Sequence, residues 1–236
     1  MIATVTIPTP HSGTVTGKIS LPDAVPAGRL PGLILAHGAG NDLENPLLAF
    51  LADGLARAGI LALRFNFPYK ERGGQAPDRP EVLEETWVAA FNFLSGHPRY
   101  RPAWVLAAGK SMGGRIASQT AAQGRLPVRG LIFYGYPLHP PGRPEKLRDA
   151  HLYSLGIPLV FFEGTRDPFC RLDLLRPVLA KLKAPWKLEV IEGGDHSFDV
   201  PKSTGRSREE VYQDILEKTV DLIKSDFFDR AFLQLV

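Results

Sequence analysis

The sequence predicts a mostly parallel β-sheet covered by helices on both faces, folded as a single domain over residues 1–236. Three observations predict it. Apolar runs begin near Gly32, Ile60, Ala103, Val128, Ile157 and Trp186; several are too continuous for a sheet with one face in water, and fit strands buried on both sides. The intervals between them carry apolar residues at helical spacing, the alternation that builds a parallel sheet. A length of 236 residues with 44% hydrophobic side chains supports one sizeable core and requires no second domain.

Taken in chain order, Thr4 to Ile7 and Thr14 to Ser20 read as an initial strand pair. Leu33-Ile34-Leu35-Ala36 is the first buried strand, and it runs into His37-Gly38-Ala39-Gly40, a tight glycine turn able to aim a backbone N–H. Leu47, Phe50, Leu51 and Leu55 form one helical stripe; Leu83, Trp87, Ala90, Phe91 and Leu94 form the next. Trp104 to Ala108 leads directly into Gly109-Lys110-Ser111-Met112-Gly113. Between the strand ending near Tyr134 and the one starting at Pro158 there is room for a short loop and one helix, too little for a large lid domain. The proline-rich stretch from Pro137 to Pro144 is too short to separate domains. Pro158 to Phe162 leads into Glu163-Gly164-Thr165-Arg166-Asp167, and Lys187 to Ile191 into Glu192-Gly193-Gly194-Asp195-His196. Val211, Ile215, Leu216, Leu222 and Ile223 mark a long final helix.

The chemistry is carried by four of the strand-to-loop junctions. A buried strand entering Gly-x-Ser-x-Gly and then a helix forces a sharp turn that leaves the Ser111 hydroxyl clear at its tip, and puts the Met112 amide at a helix N-terminus. A five-residue pattern also arises by chance, so the context decides: this layout asks for an acid and then a histidine, each after a later strand. Asp167 and His196 occupy those places. Asp195 is the sequence neighbour of His196, but adjacent side chains diverge, and Asp167 is the better acid. Met112 and Ala39 are the expected oxyanion donors. In a parallel sheet all four loops lie beyond the carboxyl ends of the strands, on one edge. Tyr136, His139, Phe169 and Phe198 stand on loops at that edge, where they could line a pocket or simply pack. Arg64, Lys110 and Arg115 could attract a carboxylate or phosphate on a substrate, or form local ion pairs.

Other chemistries fit less well. A phosphate-binding loop ending in Gly109-Lys110-Ser111 would need glycine at 104, where Trp104 stands; a dinucleotide fingerprint opening at Gly38 would need a small residue at 43, where Leu43 stands. No pair of histidines has zinc-protease spacing, His37 is expected to shape its turn, and no metal is expected. The single Cys170 allows no internal disulfide and is expected to be packed and inert. A formal charge of +3 with basic residues spread along the chain argues against nucleic acid as a partner. No run reaches the roughly 18 apolar residues of a membrane span, and Met1 to Pro10 lacks a secretory pattern, so a cytoplasmic location is expected. The expected partner is a small-molecule acyl substrate, handled without a cofactor; no protein partner is indicated.

Taken together, these residues resemble a small α/β-hydrolase of the dienelactone-hydrolase-like type. More narrowly, Arg64-Phe65-Asn66-Phe67-Pro68-Tyr69, Gly109-Lys110-Ser111-Met112-Gly113-Gly114-Arg115, Phe133 to Pro141, Gly164-Thr165-Arg166-Asp167-Pro168-Phe169 and Gly194-Asp195-His196-Ser197-Phe198 resemble a family of predicted hydrolases. That family includes a testis-expressed protein and a subunit of a histone-acetyltransferase complex. The resemblance runs from about Gly32 to the final helix. It implies an α/β-hydrolase fold with a Ser111, His196, Asp167 triad, and it leaves the substrate open. Dienelactone hydrolases use a cysteine nucleophile where this chain has Ser111, so their substrate is not implied. The expected activity is cleavage of a small carboxylic ester or thioester. A serine peptidase and a non-catalytic protein-binding scaffold are the competing readings.

Overall fold

The computed structural model describes residues 1–22 and 30–229. Eight strands form one sheet in the order β1-β2-β4-β3-β5-β6-β7-β8. The strands are β1 (Ile2–Thr9), β2 (Gly13–Ser20), β3 (Pro31–Ala36), β4 (Leu61–Phe65), β5 (Trp104–Lys110), β6 (Leu131–Tyr134), β7 (Leu159–Gly164) and β8 (Trp186–Ile191). The first two form an antiparallel hairpin, and β2 joins β4 antiparallel; from β4 through β8 every neighbouring pair is parallel. All six buried runs and the initial pair expected from the sequence are therefore strands of one sheet.

Both faces of the central strands are buried because consecutive side chains alternate between them. On one face Ile34, Leu63, Phe65, Ala107, Phe133 and Phe161 pack with Trp87, Ile116 and Leu175. These last three come from α3 (Pro80–Ser95), α4 (Met112–Ala122) and α5 (Leu172–Leu179). On the other, Leu33, Leu35, Ala62, Leu106, Ile132 and Val160 meet Leu48, Leu51 and Leu55 of α1 (Pro46–Arg57) and Ile215 and Leu222 of α6 (Arg208–Lys224). The helix starts follow local chemistry. Asn45 caps α1 by accepting the Leu48 amide, with Pro46 in the first turn; Ser207 and Glu210 form a reciprocal capping box on α6. A one-turn helix, α2 (Pro68–Glu71), lies beyond the sequence expectation.

The register places the site. Ala36 pairs with Gly109, Lys110 with Tyr134, Tyr134 with Phe162 and Gly164 with Ile191, so the carboxyl ends of β3, β5, β6, β7 and β8 finish in step. The loops that follow must then meet at one edge. Between β6 and β7 the expected helix is reduced to a 3₁₀ segment, Ala150–Ser154, among turns. A chain so rich in proline there cannot sustain regular backbone hydrogen bonding.

Candidate active site

Ser111 sits between β5 and α4 with φ 52° and ψ −116°, a strained conformation for a residue with a side chain. Holding it costs on the order of 1–3 kcal/mol, so the surroundings must enforce it. They do so by close approach: a Cβ on Gly109 would lie 2.1 Å from the Gly114 nitrogen, and one on Gly113 would lie 2.4 Å from the Ala36 carbonyl oxygen. Glycine at both positions lets α4 start against the strands. The Trp87 indole N–H donates to the Gly113 carbonyl at 3.0 Å and pins the turn from α3.

The Ser111 Oγ lies 2.8 Å from Nε2 of His196, and Nδ1 of His196 lies 2.6 Å from Oδ2 of Asp167. A carboxylate can only accept, so Nδ1 carries the proton and Nε2 presents its lone pair to the Ser111 hydroxyl. The other Asp167 oxygen accepts the Phe169 amide at 2.7 Å, which fixes the carboxylate plane. The Asp167 side chain is fully buried, while His196 is 20% exposed and Ser111 is partly exposed, so the Ser111 end of the array faces solvent. Asp195 behaves as expected: its Oδ1 accepts the Ser197 and Asp199 amides at 2.8 and 3.0 Å and shapes the His196 loop. The three residues picked from the strand-to-loop junctions are thus assembled in hydrogen-bond order.

The His37 loop packs onto the same turn, with a Cβ on Gly38 only 3.4 Å from that of Ser111. His37 shapes it, as expected. Its Nδ1–H donates to the Gly38 carbonyl at 2.8 Å, and its Nε2 accepts the Phe67 amide at 3.1 Å. Burial pulls its pKa down to about 4, partly offset by the bond to Gly38, so the ring is neutral near pH 7. Ala39 is exposed beside this turn, and Met112 supplies the first amide of α4, whose N–H groups lack intrahelical partners.

Four of the five expected lining residues are corrected by burial. Arg64 is 2% exposed and gives Nη1 to the Leu43 carbonyl and to Glu44, so it braces the loop before α1. Tyr136 is fully buried, its hydroxyl donating to the Arg148 carbonyl at 2.6 Å. His139 is buried and accepts the Arg171 amide through Nε2, tying down the loop that carries Asp167. Phe198, at φ 64°, is fully buried beneath the His196 loop. Only Phe169 remains: it is half-buried, and its ring lies 4.3 Å from the His196 ring, tilted by 35°. Arg115 bonds Gln119 one turn on, and Lys110 is buried under His196.

Ser118 and His151 form a second serine–histidine contact at 2.8 Å. It has no elbow: Ser118 is fully buried inside α4 and donates to the Arg115 carbonyl. Sequence reasoning passed over Glu163, which is completely buried at the end of β7 and accepts the Tyr136 amide at 2.5 Å. Burial, then the Asp167 charge, push its pKa well above the ordinary value of a glutamate. The Cys170 thiol is buried as expected, with its pKa pushed up mainly by burial. Among the described residues no cluster of three His, Cys, Asp or Glu side chains could hold a metal ion, and no helix is long and apolar enough to cross a membrane.

A family model described as an alpha/beta hydrolase domain matches residues 30–224, the stretch holding all of these loops. The chain belongs to the α/β-hydrolase family. Solved structures agree on the fold. An α/β serine hydrolase without a lid from Xanthomonas campestris superposes with a TM-score of 0.71 at 19% identity, covering 92% of this chain and 90% of that one. A dienelactone hydrolase from Anabaena variabilis gives 0.72 at 19% identity, with 94% and 95% covered. An esterase domain from Rhodothermus marinus gives 0.68 at 18% identity, with 94% and 97% covered.

Proposed function

We propose that this α/β-hydrolase is a serine hydrolase that cleaves a small carboxylic ester or thioester through a Ser111–His196–Asp167 triad. The observation that carries the reading is the unbroken chain of contacts from Ser111 Oγ to His196 Nε2 at 2.8 Å and from His196 Nδ1 to Asp167 at 2.6 Å, on a strained turn open to solvent. Neutral His196 takes the hydroxyl proton as Oγ bonds to the acyl carbon, and returns it to the leaving alcohol or thiol as the carbon–heteroatom bond breaks. Water, activated by the same imidazole, then releases the acid. Asp167 holds the ring in the required tautomer and balances its charged form. The Met112 and Ala39 amides receive the developing oxyanion, each worth on the order of 100-fold in rate. No cofactor enters these steps.

Within the family we place the chain with the predicted hydrolases that include a testis-expressed protein and a histone-acetyltransferase complex subunit, on the motifs quoted above. The assembled triad favours catalysis over a scaffold role, since a scaffold has no use for all three groups in hydrogen-bond order. The proposed setting is the cytoplasm, with a free acyl metabolite as substrate. A panel of p-nitrophenyl esters and acyl thioesters of short and medium chain tests the reading. Turnover by the wild type and its loss in Ser111→Ala are expected; aminoacyl-naphthylamide cleavage without ester cleavage would overturn it in favour of a peptidase.

A further inference from the structure

We propose that Lys110 is a positioning residue of the hydrolytic site: from beneath the triad its ammonium anchors the His196 loop by the His196 carbonyl and supplies the positive charge facing the buried Asp167 carboxylate. The proposal rests on the triad reading above.

Lys110 is the last residue of β5, one position before the nucleophile, and only 6% exposed. A charge taken out of water at such a place is costly unless specific partners compensate it. Its partners all belong to the site. Nζ donates to the carbonyl of His196, a residue 86 positions away, and lies over the Phe198 ring at 5.5 Å. Among the described residues Lys110 makes no ion pair within 4.0 Å, so its one short polar contact goes to the backbone of the base. Glycine at 135 makes the arrangement fit: a Cβ there would stand 2.9 Å from Nζ and 3.3 Å from Nδ1 of His196.

The charged and titratable groups facing this cation are Asp167 and Glu163 at the end of β7, and Asp195 beside His196. The Cys170 thiol lies against Glu163 and Asp167. Burial, then the Asp167 charge, push the Glu163 pKa up, which makes Asp167 the stronger counter-charge to Lys110 at the buried end of the site. Burial has pulled the Lys110 pKa down to about 8, with the three carboxyl groups resisting, so the ammonium form prevails at neutral pH. The cation therefore acts twice on His196. It fixes the loop that sets the Nε2 to Oγ distance, and it opposes an added proton on the ring.

The test compares wild type, Lys110→Met and Lys110→Arg by kcat and KM on p-nitrophenyl acetate from pH 5 to 9, with urea melts to verify folding and Ser111→Ala as the control for triad turnover. Lys110→Met keeps the length without donor or charge. Its kcat is expected to fall about 10-fold or more with KM changed less than about twofold, because the base is misplaced. Its acid limb is expected to move up by about one pH unit, for charges no more than about 6 Å apart. Lys110→Arg should return the limb towards the wild-type position. A folded Lys110→Met with wild-type kcat and acid limb overturns the proposal, as does a slower enzyme whose limb has not moved. If Met at 110 prevents folding, Lys110→Gln takes its place, and failure of both overturns the proposal by assigning Lys110 to the core. Absence of Ser111-dependent turnover in the wild type instead overturns the triad reading, and the proposal with it.

Discussion

His37 ties the fold to the loop that packs against Ser111, and its burial makes an acid-sensitive prediction. In the folded chain Nε2 accepts the Phe67 amide, so a proton there would set one donor against another. Its folded pKa of about 4 lies below the unfolded value of 6.5. The neutral form is therefore favoured by folding: the stabilisation is complete above pH 6.5 and is lost as pH falls through the window down to about 4. At pH 5 the unfolded ring is mostly protonated while the folded ring is not, which costs about 2 kcal/mol relative to pH 7.5. Other groups titrate in this range too, so the measurement is a difference between proteins. His37→Gln can still accept the Phe67 amide and has nothing to titrate. Urea unfolding at pH 7.5 should find the variant less stable by about 1 kcal/mol, for the lost bond to Gly38. At pH 5 the gap should shift by about 2 kcal/mol in the variant's favour. A gap of the same size at both pH values would refute the assignment of a neutral, buried His37.

Other substitutions around the site have expected outcomes of their own. Gly113→Ala sets a Cβ 2.4 Å from the Ala36 carbonyl, where only backbone could yield, and should cost about 3 kcal/mol in thermal or urea melts with loss of esterase turnover. Asp167→Asn leaves the packing intact but allows the wrong His196 tautomer, and kcat should fall by roughly 10³ to 10⁴. Phe169→Ala removes the ring lying tilted against His196 and should lower kcat/KM by about fivefold on aromatic esters, with little change in melting. Glu163→Gln removes a carboxyl whose pKa burial raises in the fold. Wild-type stability falls as pH rises above the unfolded value of 4.5, so the variant should gain on it by about 1.4 kcal/mol per pH unit, up to the raised folded value.

The sheet and the meeting of Ser111, His196 and Asp167 were legible in the sequence for one reason: each depends on local pattern. Continuous apolar runs followed by glycine turns mark buried strands and their carboxyl ends, and Ser111, Asp167 and His196 each stand just past one. The lining was not legible, because burial of a loop aromatic is decided by what packs over it. Tyr136 and Phe169 look alike in sequence, yet one is sealed under the loop around Arg148 and the other lies against the His196 ring. Arg64 and Lys110 are cations in apolar strands, and nothing in their neighbours reveals that their partners are backbone carbonyls 21 and 86 residues away. Glu163 was hidden for the same reason: its raised pKa comes from complete burial beside Asp167, a fact of tertiary packing. The helix expected between β6 and β7 failed on local grounds, with prolines at 137, 140, 141 and 144 breaking the backbone ladder.

The central claim is that Ser111 is a nucleophile activated by His196. A fluorophosphonate probe, followed by intact-mass and peptide analysis, tests it most directly on folded wild type, Ser111→Ala and His196→Ala. One adduct per wild-type chain on Ser111, absent in Ser111→Ala and strongly slowed in His196→Ala, is the result this account predicts. An unlabelled wild type, or labelling that proceeds at the same rate without His196, would contradict it.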